Sequence, residues 1–167
     1  PYFIQLGSWF PHKNLELSIR AFARARAHRE GFLLAFVGGG ADAEYRAGLQ
    51  RLAAECGIND ALRWIEDVGG DDLPRLLAAA SALLQPSRYE GFALPLLEAM
   101  AVGLPGVVSD SSCLPEVSGG IWPIAGHPTC PAASSSASPS PARLRSIPRC
   151  CCWTNRPPAS TRRPDRP

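Results

Sequence analysis

No run of about 18 apolar residues occurs anywhere in the 167-residue chain, which excludes a bilayer-spanning helix. Lysine and methionine each occur once, as Lys13 and Met100. The six cysteines include no paired C-x-x-C spacing, and Cys150, Cys151 and Cys152 are adjacent, a poor arrangement for chelating one metal. A zinc site from His127, Cys130 and Cys150–Cys152 is therefore not expected. A disulfide scaffold is not expected either: the first residue is Pro1, an apolar run starts at the second, and no secretory leader precedes it. A chain that starts this way reads as a piece of something longer. The full G-x-G-x-x-G spacing is also missing, so an ordinary dinucleotide site has no support.

Acidic residues are nearly missing from one part only. Up to Gly120 there are 10 Lys+Arg against 14 Asp+Glu, a net charge of −4, with 7 Pro. From Ile121 onward there are 7 Arg, one acid (Asp165) and 10 Pro, a net charge of +6. The whole-chain charge of +2 is a cancellation. Residues 1–120 and 121–167 are thus two different polymers, and only the first has the composition of a folded domain.

In that first part, apolar runs alternate with helical patterns. Tyr2–Leu6, Phe32–Val37, Leu62–Ile65, Ala82–Gln85 and Gly106–Ser109 have strand length and are apolar almost throughout. Between them, Leu15–Ala25, Ala43–Cys56, Leu73–Ala80 and Leu94–Val102 repeat apolar residues every three or four positions. Strands apolar on both faces and separated by helices predict a doubly wound parallel α/β sheet. Ligands bind such sheets at the carboxyl ends of the strands.

Chemistry-bearing residues do stand at those ends. After the first strand comes Gly7-Ser8-Trp9-Phe10-Pro11-His12-Lys13. Lys13 near a helix start either adds positive charge to amides that favour anions or is simply a solvated side chain. Gly38-Gly39-Gly40 after the second strand is either a close-approach loop or a plain turn. After the fourth strand, Glu90, Gly91 and a helix opened by Pro95 gather the amides of Gly91, Phe92, Ala93 and Leu94 at the positive end of that helix. Glu90 and Glu98 flank this anion-binding terminus and suit hydroxyl groups, although a first-turn glutamate is also favoured by the helix dipole alone.

The string PSRYEGFALPLLEAMAVGLPGVVSD resembles the donor-site signature of the GT-B glycosyltransferases of family 4, the "group 1" class, with its two glutamates separated by seven residues. GSWFPHKNLELSIRAF and FLLAFVGGG resemble the opening of the same family's C-terminal, Rossmann-like domain. The resemblance covers roughly Tyr2 to Gly119. It implies a retaining transferase that moves a hexosyl group, mannosyl among the candidates, from a nucleotide diphosphate sugar to an acceptor hydroxyl without a bound metal or other cofactor. Carried over by position, Glu90 and Lys13 are the catalytic residues. Gly7, Ser8, Lys13, Gly39, Glu90, Gly91, Phe92, Ala93, Leu94 and Glu98 hold the donor. Glu90 is implied to bind the sugar ring, Glu98 the ribose and Lys13 the diphosphate, with residues 65–68 near the base. Ser8 stands where many members have Arg, and Ala93 where Gly is usual. The family's N-terminal acceptor domain is absent, so its carbohydrate or lipid-linked acceptor has no seat here. The location implied is cytoplasmic, at most peripheral to the inner membrane.

The alternative from another class is a truncated relic, an α/β module that binds nucleotide without catalysis. Residues 121–167 show no apolar period beyond Ile124 and are expected to lack regular structure. Their arginines interleave with no stacking aromatic except Trp153, so a nucleic-acid partner is not expected. The abrupt change of composition inside a family-like segment predicts an out-of-frame reading of a GC-rich gene. Sequencing the source gene across residues 118–121 should reveal a single-base slip relative to its relatives; one uninterrupted shared frame overturns this.

Overall fold

The computed structural model describes residues 1–119 and the backbone of 150–153. Five parallel strands form its centre: β1 (Tyr2–Leu6), β2 (Leu33–Val37), β3 (Leu62–Ile65), β4 (Ala82–Gln85) and β5 (Gly106–Ser109). Between and after them lie α1 (Leu15–Arg24), α2 (Ala43–Glu55), α3 (Leu73–Ala79), α4 (Leu94–Ala101) and the single turn α5 (Leu114–Val117). The spatial strand order is β3-β2-β1-β4-β5, extended by a sixth strand, β6 (Cys150–Trp153), antiparallel to β5. The doubly wound parallel sheet expected from the alternating runs is the fold observed.

Both sheet faces are buried, which explains the near-continuous apolar strands. Leu34 and Phe36 of β2 join Leu15, Ile19 and Phe22 of α1 and Leu49, Leu52 and Ala53 of α2 in one core. Ile4 and Leu6 of β1, Val37 of β2, Leu83 of β4 and Val108 of β5 turn the other way. They meet Leu77 of α3 and Leu96 and Ala99 of α4 in the second core. The pleat sends alternate residues of one strand to opposite layers. Trp9, which the sequence places in the loop after β1, is 2 % exposed and belongs to the first core. Its ring meets Trp64 edge-on at 5.1 Å, and the Arg46 guanidinium lies 5.2 Å from its centroid.

Within the stretch expected to lack regular structure, β6 differs from that expectation. An edge strand such as β5 presents a row of unpaired N–H and C=O groups, and any extended segment can satisfy them without an apolar period. The rest of residues 120–167, including His127 and Cys130, lies outside the described residues.

The carboxyl ends of β1 and β2 touch through their glycines. The Gly7 N–H donates to Val37 O at 2.9 Å, and the Trp9 N–H donates to Gly39 O at 2.8 Å. A Cβ on Gly38, at φ +140°, would stand 2.1 Å from the Gly7 carbonyl oxygen. Gly38→Ala should therefore destabilise the domain by about 2–5 kcal/mol, strain and overpacking combined, as read from urea unfolding. A loss under half the lower figure would show that the approach of these loops is dispensable.

Candidate functional site

The sheet order reverses between β1 and β4: the chain proceeds outward from β1 through β2 to β3, then returns to the other side of β1 with β4 and β5. The loops leaving β1 and β4 border the crevice where such sheets take ligands. After β1 the chain turns at Gly7, makes a 3-10 turn over Pro11–Lys13, and enters α1 through Asn14 at φ 57°. Asparagine tolerates this left-handed conformation better than most residues. Its side chain binds the second loop, Asn14 Nδ2 donating to Pro86 O at 3.1 Å. The Arg88 N–H donates back to His12 O at 2.8 Å. Gln5, 4 % exposed at the end of β1, donates from Nε2 to Lys13 O at 2.9 Å and accepts from Ser18 Oγ at 2.6 Å. Lys13 is thus carried on backbone that the sheet and α1 hold from both sides.

Its ammonium group lies 2.7 Å from both carboxylate oxygens of Glu90. Glu90 is 8 % exposed and receives two more donors at Oε1, Ser87 Oγ at 2.6 Å and Gln85 Nε2 at 3.1 Å. Ser112 closes the loop from β5, donating to Glu90 O at 2.6 Å and accepting the Glu90 N–H at 3.3 Å. Burial pushes the Glu90 carboxyl upward, but the hydrogen bonds from Lys13, Ser87 and Gln85 outweigh it and hold the group below its usual value. The resemblance assigned Lys13 and Glu90 to different parts of a ligand. In the ligand-free crevice they are paired with each other.

The remaining candidates surround this pair unequally. Gly7 turns at φ +117°, a backbone that favours glycine, and Lys13 Cε and Nζ pass 3.6 Å from where its Cβ would stand, an ordinary contact. Gly39 contributes backbone to the same rim, through its carbonyl to Trp9. Ser8 is exposed. The N–H groups of Gly91, Phe92, Ala93 and Leu94 donate to no backbone acceptor among the described residues, as expected at a helix start. Ala93 caps α4 at φ 57°, ψ 48°, with its methyl buried. That left-handed backbone is the physical reason for glycine there in the resembling motif, and alanine adopts it at a cost of about 1 kcal/mol. Glu98 lies one turn into α4, exposed and without a polar partner among the described residues; it does not reach Lys13 or Glu90. Phe92 and Leu94, which follow Glu90 in the chain, are 61 % and 60 % exposed. At the end of β3, Glu66 is paired with Arg46. Ile65 and Val68 line a separate groove of about 410 Å³ along α3, and another of about 420 Å³ separates α1 and α2. Neither contains Lys13 or Glu90, whose side chains are 13 % and 8 % exposed.

Among the described residues no three His, Cys, Asp or Glu side chains cluster to hold a metal ion, and no helix is long and apolar enough to cross a membrane. Gln5, Asn14, Gln85, Ser87 and Ser112 were not singled out from sequence. For the two glutamines the available signal was one glutamine at or next to the end of each of two otherwise apolar strands, YFIQL and ALLQ.

The doubly wound parallel sheet, with a charged pair where its strand order reverses, is a Rossmann-like domain. Residues 1–119 match the family described as glycosyl transferases group 1, and the chain belongs to that family, whose fold is of the GT-B type. It is 38% identical over 109 residues to the MMP alpha-(1->4)-mannosyltransferase of Mycolicibacterium hassiacum, covering 65% of this chain and 26% of that protein. To the O-antigen chain mannosyltransferase RfbU of Salmonella typhimurium it is 33% identical over 116 residues, covering 70% and 31%. Among solved structures it resembles WaaG, a glycosyltransferase involved in lipopolysaccharide biosynthesis, with a TM-score of 0.54 and 32% identity over 63% of this chain and 27% of that one. The chain therefore spans about a quarter to a third of the length of the relatives it matches.

Removing one partner of the Lys13–Glu90 pair leaves a buried charge uncompensated. Lys13→Met should cost somewhat less than the ~3–5 kcal/mol typical of a fully buried pair, since the lysine retains some solvent contact. A carboxyl held low in the folded state stabilises it fully above the unfolded value, and that contribution is lost as pH falls through the folded value. Chemical denaturation of wild type should show this acid loss, and Glu90→Gln should flatten it; equal acid slopes in the two proteins would remove Glu90 as its source.

Proposed function

We propose that the chain is the donor-binding half of a hexosyltransferase. It would move a sugar, mannose by preference, from a nucleotide diphosphate sugar to a hydroxyl of a carbohydrate or lipid-linked acceptor, with retention at the anomeric carbon. The observation that carries this reading is the position of Lys13 and Glu90, side by side at the reversal of strand order and next to the free amides of α4. An ammonium group has three donors, and two are used on Glu90, so one remains for a phosphate oxygen. The amides of Gly91, Phe92, Ala93 and Leu94 add partial positive charge on the same side. Fixed donors facing the charge that grows on a departing diphosphate lower the barrier to its departure, because they need no reorganisation during the reaction. Glu90 receives hydroxyls of the donor sugar and Glu98 those of the ribose. Gly7, Ser8 and Gly39 border the phosphates, and residues 65–68 border the base.

The mannosyltransferase names of the two relatives support mannose as the sugar. The short span against those relatives supports an acceptor-binding domain outside this chain. The reaction would take place on the cytoplasmic side, where nucleotide sugars are made. The second reading, nucleotide binding without transfer, draws on the same partial span of the relatives' length.

Isothermal titration with GDP, UDP, GDP-mannose and UDP-glucose tests the binding half of the proposal. At least one should bind, and Glu98→Ala should weaken it by about 1–2 kcal/mol through a lost charged hydrogen bond. Unchanged affinity would remove Glu98 from the site. Transfer to acceptor on mixing with the N-terminal domain of a relative would favour the enzyme; binding without transfer would favour the second reading.

A further inference from the structure

We propose that Gln85 and Ser87 are positioning residues that commit one oxygen of Glu90 to the protein and leave the other to receive a ligand hydroxyl. The inference rests on the reading of Glu90 as the acceptor of donor-sugar hydroxyls and names the atom that does it.

The two oxygens differ sharply in their partners. Oε1 accepts from Lys13 Nζ at 2.7 Å, Ser87 Oγ at 2.6 Å and Gln85 Nε2 at 3.1 Å. Oε2 accepts only from Lys13 Nζ, also at 2.7 Å, among the described residues. An ionised carboxylate offers about two acceptor directions per oxygen. Three donors saturate Oε1, while Oε2 keeps one direction open. An incoming hydroxyl therefore finds a single acceptor atom in a fixed place, next to the remaining N–H of Lys13. The sugar and the phosphate of one ligand would be read by neighbouring atoms.

Gln85 and Ser87 are built to hold this division. They are 2 % and 1 % exposed, at and just after the end of β4. Solvent cannot replace either donor, and the backbone of Ser87 is itself fixed by Ser109 Oγ, 2.5 Å from its carbonyl oxygen. The Gln85 amide oxygen is buried without a partner. That orphan acceptor costs stability in its own right. The amide keeps this orientation because the opposite one would set two oxygens against each other at Glu90. Lys13 is the charged side chain that faces the carboxylate; the Cys113 thiol meets only the Glu90 carbonyl oxygen, at 3.5 Å.

The experiment compares wild type with Ser87→Ala and Gln85→Leu, both of which leave Lys13 and Glu90 in place. Isothermal titration of the full chain with GDP and GDP-mannose, and with UDP and UDP-glucose, gives the factor by which the sugar raises affinity, between neutral and mildly acidic pH. Each variant should bind the nucleoside diphosphate as wild type does and lose about five- to tenfold of the sugar factor, the loss expected for one hydrogen bond. What remains should disappear at a higher pH than in wild type, because a carboxylate with fewer donors protonates more readily. A sugar factor and acid limb unchanged in both variants would overturn the inference. If wild type shows no sugar factor at all, the reading of Glu90 under Proposed function fails. Carbon-13 titration of the Glu90 carboxyl in the ligand-free chain then decides the positioning role: a midpoint raised in Ser87→Ala sustains it, and an unmoved midpoint ends it.

Discussion

A carboxylate that is 8 % exposed can stay ionised only if nearby donors replace the water it has lost, and Glu90 depends on this condition. The donors come from separate parts of the chain: Lys13 from the turn after β1, Gln85 and Ser87 from β4 and its loop. Ser112, after β5, fixes the Glu90 backbone. No one of these segments is sufficient alone. The strand ends must be brought within hydrogen-bond reach of one another, and the parallel sheet does that by setting β1 beside β4 and β4 beside β5.

The two apolar layers serve the same end. Opposite faces of β1, β2, β3 and β4 feed different cores, so the register of these strands is fixed from both sides, and a slip of one residue would send each side chain into the wrong layer. With the register fixed, Gln5 and Gln85 fall at the carboxyl edge, where polar groups can turn toward the crevice instead of the cores. Gly38 lets the loops after β1 and β2 pass without a side chain between them. Asn14 then joins the β1 loop to Pro86. Packing, loop crossing and the charged pair are therefore one continuous structure.

The family match spans nearly all the described residues, and the chain spans about a quarter to a third of its relatives' length. Phe92 and Leu94 are large exposed apolar side chains that follow within four residues of the glutamate the proposal assigns to the sugar. An α/β sheet supplies strand ends and helix termini on one side of a ligand only.

Element type and order were legible because buried parallel strands are apolar throughout and the helices between them keep a three-to-four repeat; both are local patterns. Gly91, Pro95 and the two glutamates drew the sequence reading to the loop after β4, which carries Glu90 of the charged pair. The exchange between Lys13 and Glu90 was not legible, since 77 positions separate them and their contact depends on which strands become neighbours. Trp9 reads as a loop residue and proves to be core, because burial is decided by what folds over a side chain. The same holds for Gln85 and Ser87, ordinary polar residues in the linear text. The covalent chain determined the sheet, its helices and the acids of the motif; only the tertiary structure chose their partners, because hydrogen bonds act over about 3 Å of space and take no account of distance along the chain.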